Sequence, residues 1–113
     1  MDDKLNALDK LIEAVEAGEI RSQFDARFER AIYPHVKVME TVYLAGEAYN
    51  GSLDAALALH EALLPGWRWD LDAGCNAGVW NSCDLLPAIT GEAETPARAW
   101  LLAVLKAYRS IQG

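Results

Sequence analysis

The feature that most constrains this chain is a change of hydrophobic period at Pro65-Gly66. Before it, apolar residues recur every three or four positions; after it, Trp67, Trp69 and Leu71 alternate with Arg68, Asp70 and Asp72. Alternation places every second side chain on one side of an extended backbone, so this stretch reads as a half-buried strand with one wet face. A glycine-containing turn near Ala73-Gly74 leads to a second short strand holding Val79 and Trp80, which predicts an antiparallel hairpin over 67–82. A further edge strand is expected near Ile89 to Ala93. Two strands alone are marginal in water, so helices must cover the face of Trp67, Trp69 and Leu71.

The helices are legible from spacing. Leu5, Leu8, Ile12 and Val15 give an amphipathic helix over 3–17 that Gly18 closes. Ile20, Phe24, Phe28 and Ile32 repeat at four-residue steps until Pro34. Residues 35–49 fit two templates: Val36, Val38 and Val42 suit a strand, whereas Val36, Met39, Tyr43 and Leu44 suit a helix, the preferred reading. After a turn at Asn50-Gly51, Ser52 is placed to cap a helix running through Leu64, with Asp54 in its first turn and Leu53, Leu57, Leu63 and Leu64 as its apolar face. Thr95 caps the last helix, 96–111, and Pro96 takes its first position, where a missing donor does least harm. Its buried stripe is Ala97, Trp100, Leu101, Val104, Leu105, Tyr108 and Ile111. The fold class is α+β, a layered α/β sandwich in which a small antiparallel sheet packs against helices. With 113 residues, 52% of them apolar, no repeat and no long linker, residues 1–113 form a single domain with a helical half over 3–64.

Seventeen acids against ten bases give a net charge of −7, which argues against direct nucleic-acid binding or an anionic membrane partner. The acidity is local. Residues 40–95 hold nine acids against Arg68 alone, while Arg98, Lys106 and Arg109 make the last helix basic. A solvated acidic surface, with cations at the end of the last helix complementing its dipole, is the plainer reading. The sharper one is an acidic docking face on the outward side of the hairpin for a basic partner, involving Asp70, Asp72, Asp84, Glu92 and Glu94. Glu92 and Glu94 share a face if that segment is extended. Trp80 points away from Val79: it is either buried under a far layer or an exposed anchor for a partner.

No pattern names a reaction. Cys75, Cys83, His35 and His60 have no zinc spacing, so no metal and no cofactor are expected, and the cysteines read as reduced thiols. The serines lie outside any nucleophile elbow, and no phosphate-binding glycine string occurs. His60 reads as a helix residue at the edge of a buried face. The opening MDDKLNALDK puts acids where a secretory signal carries positive charge, and no stretch approaches the length of a membrane span, so a cytoplasmic protein with no membrane partner is expected.

The string AYNGSLDAALALHEALLPGWRWDL, residues 48–71, followed by GEAETPARAWLLAVLKAY, residues 91–108, resembles the phage α-β-α (ABA) sandwich domain family of small phage and prophage proteins. The resemblance implies a phage or prophage origin and structural roles for the corner at Pro65 and Gly66 and the cap at Thr95 and Pro96; the cap Ser52 and Trp67, Trp69 and Trp100, which periodicity turns inward, read as structural as well. It supplies no catalytic residue. The expected function is that of a nonenzymatic accessory protein binding a host or phage protein, such as a nucleic-acid-binding complex with a basic surface. Its most specific form is a counter-defence inhibitor of the anti-CRISPR type. The alternatives are a small-ligand binder or hydrolase with His60, Glu61, Asp70 or Asp72 at the rim of a pocket between sheet and helices, and a virion or assembly component.

Overall fold

The computed structural model describes residues 3–18, 21–32, 39–72, 75–81 and 88–112. In chain order these form α1 (Asp3–Ala17), α2 (Arg21–Ile32), α3 (Met39–Tyr49), α4 (Leu53–Leu63), β1 (Trp67–Leu71), β2 (Asn76–Asn81), β3 (Ile89–Glu92) and α5 (Pro96–Gln112). The ambiguous segment resolves to helix from Met39 onward. His35, Cys83, Asp84 and the turn residues Ala73 and Gly74 lie outside the described residues.

The architecture is α+β and centres on α5. Ala97, Ala99 to Leu105, Ala107 and Tyr108 are all buried. A helix apolar on nearly every side must be surrounded. It packs on β2 and β3 along one side and on α1, α3 and α4 along the others. Thr95 starts it by accepting from Arg98 N–H at 3.1 Å through Oγ1, while its own carbonyl accepts from Ala99 N–H at 2.9 Å. Lateral ties to α1 come from Arg109 with Asp9 at 2.9 Å and Lys106 with Glu16 at 3.6 Å.

The sheet runs β1-β2-β3, antiparallel throughout. Ala77, Val79 and Gly91 face α5 and are buried. Gly91 is required there: a Cβ would stand 2.5 Å from Ala99 O and 2.7 Å from Ala103 N, so the β3 backbone rides directly on the α5 backbone. The corner before β1 is a type II turn. Pro65 and Gly66 occupy its centre, Gly66 takes φ 84, and Trp67 N–H donates to Leu64 C=O at 3.1 Å. Ser52 caps α4 as its sequence implies, its hydroxyl accepting from Ala55 N–H at 3.2 Å.

Several expectations need correction. Trp69 is not enclosed but 43% exposed: β1 is an edge strand, and although the Trp100 ring of α5 stands 4.3 Å away between centroids, much of the indole stays in water. Leu53 and Ile111, at the ends of their helices, are exposed, and the buried side of α4 is Ala55, Ala56, Leu59, His60 and Leu63. The last residue of α4 is Leu63, with Leu64 as its C-cap. His60 is only 2% exposed, fully inside rather than at an edge. Among the described residues no helix is long and apolar enough to cross a membrane.

Candidate functional site

The strand register sorts the hairpin residues onto two faces. Trp69 pairs with Val79 and Leu71 with Ala77 on the side of the helices; Arg68 pairs with Trp80 and Asp70 with Gly78 on the other. β3 continues that outward face with Thr90 opposite Gly78 and Glu92 opposite Asn76. Arg68, Asp70, Asp72, Thr90 and Glu92 are exposed there, and Trp80 is half-buried among them. Asp70, Asp72 and Trp80 border one depression of about 260 Å³.

Gly78 creates that depression. It sits mid-strand with no side chain, so the floor between Asp70 and Thr90 is backbone, with Ala88 as the nearest side chain to an added Cβ at 3.7 Å. A glycine inside a strand marks a place where something approaches the backbone closely. A glycine beside Val79 and Trp80 in an otherwise strand-forming run is the sequence signal for it.

Asp72 has a second duty. Its carboxylate accepts from the Asn76 backbone N–H at 3.2 Å and from the Asn76 side-chain amide at 3.2 and 3.3 Å, tying the hairpin together where Cys75 takes a positive φ of 61. Cys75 is a free thiol and donates weakly to Glu94 C=O at 3.7 Å.

No family model matches this chain, and no curated protein or solved structure is similar to it.

Of the acidic docking residues expected from sequence, Asp70 and Asp72 come together with Trp80, while Glu92 lies on the same face opposite Asn76, at the other end of β2 from Trp80. Glu94 does not join them. β3 ends at Glu92, so Glu92 and Glu94 do not share a strand face, and Glu94 turns to Arg98 at 3.8 Å. Trp80 lies on the outward face of the sheet and is half-buried, neither fully enclosed nor fully exposed.

The basic charge of the last helix is engaged laterally: Arg98 with Glu94, Lys106 with Glu16 and Arg109 with Asp9. These pairs leave Arg68 as the base among the described residues of the outward face. Among the described residues, His60, Asp70 and Asp72 do not converge on one rim. His60 is buried on the helix side with both ring nitrogens engaged, while Asp70 and Asp72 lie on the far side of the sheet.

Proposed function

We propose that the protein acts without catalysis, by binding a basic surface of another macromolecule through the open face of its sheet. The observation that carries this is the gathering of Asp70 and Asp72 with half-buried Trp80 around the Gly78 depression, with Glu92 farther along the same face of the sheet. A large aromatic with one flank already packed loses little freedom on contact, and surrounding carboxylates speed encounter with a cationic partner and set its register. In the setting that the family resemblance implies, the protein is a phage or prophage accessory factor in the host cytoplasm. Its partner is then a host or phage protein with a nucleic-acid groove, as for a counter-defence inhibitor of the anti-CRISPR type.

The test uses the double variant Asp70→Lys/Glu92→Lys, which spares the hairpin tie made by Asp72. The parent protein, immobilised, should retain from bacterial lysate a basic protein that is released as salt rises and that the double variant fails to retain. In parallel, the parent and not the variant should restore phage plating on a CRISPR-immune host. Equal retention by both proteins, or retention insensitive to salt, overturns the acidic-face reading. Failure of the plating assay alone removes the counter-defence form.

A further inference from the structure

The strand register also determines which backbone groups of β1 are in use. Asp72 N–H donates to Asn76 C=O at 3.0 Å, and hydrogen-bonded positions alternate along an antiparallel pair. Asp70 and Arg68 therefore bond across to Gly78 and Trp80, while Trp67, Trp69 and Leu71 turn their N–H and C=O groups to the outer edge. Trp67 is satisfied locally, by Leu64 C=O at 3.1 Å and by the His60 ring at 2.9 Å. At the opposite edge of the sheet, Lys106 Nζ reaches Thr90 C=O at 3.4 Å. Among the described residues nothing reaches the backbone N–H and C=O groups of Trp69 and Leu71, and Arg68, Trp69 and Asp70 are all exposed. Four aligned polar groups on an exposed edge are a template for another strand.

We propose that this edge takes up an extended segment of another protein in which basic and apolar residues alternate. An added strand continues the pleat of β1, so its side chains fall alternately beside Trp69 on the helix side and beside Asp70 on the outward side. Apolar residues suit the first position and Lys or Arg the second.

A second copy of this chain fits worse. The two-fold pairing that engages every open group sets Trp69 opposite Leu71 of the other copy, and it forces Asp70 against the other copy's Asp70 in the closest type of cross-strand pair, where like charges repel. The pairing that centres on Trp69 avoids this clash but leaves Leu71 facing Trp67 of the other copy, whose groups are already engaged. The proposal goes beyond the acidic-face reading, which needs no main-chain pairing.

The experiment follows amide hydrogen exchange by NMR on the intact protein. The probe is an acetylated peptide of about six residues alternating lysine and valine, a typical strand length. Its control is the same peptide with alternate backbone nitrogens methylated. The unmodified peptide should slow exchange at Trp69 and Leu71 by roughly tenfold or more, and the methylated peptide should not. Unchanged exchange at these two amides under saturating peptide, or no binding of the peptide at all, overturns the proposal. If the peptide instead shifts only Trp80, Thr90 and Glu92 resonances, the edge is refuted while the acidic face stands. Slowing that depends on protein concentration without peptide identifies a second copy as the occupant and also refutes the proposal.

Discussion

Trp100 Nε1–H donates to His60 Nδ1 at 3.3 Å, and the opposite ring nitrogen of His60 meets the carbonyl of Trp67 at 2.9 Å. Trp100 can only donate and the Trp67 carbonyl can only accept, so the neutral imidazole carrying its proton on Nε2 satisfies both. One buried side chain thus links α4, α5 and the start of β1. His60→Phe keeps a flat ring in place but leaves the indole N–H and the carbonyl without the imidazole as partner, which should cost about 1–3 kcal/mol. His60→Ala adds a cavity and should cost about 2–5 kcal/mol. Urea denaturation of both variants checks the order; equal stability of His60→Phe and the parent would refute the bridge.

Gly91→Ala should be among the most damaging single-methyl additions in the protein. The new Cβ meets backbone atoms of α5 at 2.5 and 2.7 Å, and backbone cannot swing aside as a side chain can. Overpacking of this kind costs about 1–3 kcal/mol, and a backbone contact belongs at the upper end. Gly78→Ala is the internal control, since its Cβ meets only Ala88 and Thr90 side chains at 3.7 and 4.0 Å. It should change the thermal midpoint little while making the depression shallower.

Arg98 should matter more than the other two bases of its helix. Its Nε–H donates to the Tyr49 carbonyl at 2.9 Å and its guanidinium lies 3.9 Å from the centroid of the Tyr49 ring, which itself stacks on Phe24 at 4.4 Å. With a side chain only 16% exposed, Arg98→Ala should cost about 2–3 kcal/mol, most of it from the charged hydrogen bond. The Arg109–Asp9 pair is half in solvent, so Asp9→Asn should cost only about 0.5 kcal/mol and less in high salt. Denaturation midpoints at two salt concentrations separate the two cases.

Helix positions were readable because local periodicity and capping chemistry decide them: Ser52 and Thr95 act where they were expected, and β1 follows its alternation. What local pattern cannot carry is the reach of a neighbour. Trp69 has the parity of an inward residue, yet α5 packs chiefly on β2 and β3 and meets this edge strand through Trp100, so the ring stays 43% exposed. Gly91 looks like any strand glycine until Ala99 and Ala103 are brought beneath it. The acidic docking residues were half legible for the same reason. Asp70, Asp72 and Trp80 are positioned by one hairpin, whereas assigning Glu94 depended on where β3 ends. Arg98 gave no sign of its contact with Tyr49, a residue 49 positions earlier.

Tyr108 links the core to alkaline pH. Burial raises its phenol above the ordinary value of 10.0, because the charged phenolate is poorly solvated there. The folded state therefore holds its proton more tightly than the unfolded chain. The associated stability is fully present below pH about 10 and is lost as pH rises through the folded value. Stability measured across that range should fall for the parent more steeply than for Tyr108→Phe, apart from a constant offset. Identical slopes would show that the phenol titrates as in the unfolded chain.

Trp80 and Trp100 should separate binding from folding. Trp100 is 2% exposed and sits between His60 and Trp69, so Trp100→Ala should lose about 3–5 kcal/mol and with it much of the folded population. Trp80 is half-buried on the open face beside Gly78, with no described helix above it. Trp80→Ala should therefore cost less than Trp100→Ala, about 2 kcal/mol, since part of the ring already stays in water in the folded state. If the ring anchors a partner, that smaller stability change should accompany a loss of binding of about 2 kcal/mol, or roughly thirtyfold in Kd. A thermal melt paired with a titration of any partner captured through the acidic face gives both numbers. A large drop in thermal midpoint with binding retained would instead make Trp80 a structural residue and leave the carboxylates to account for recognition.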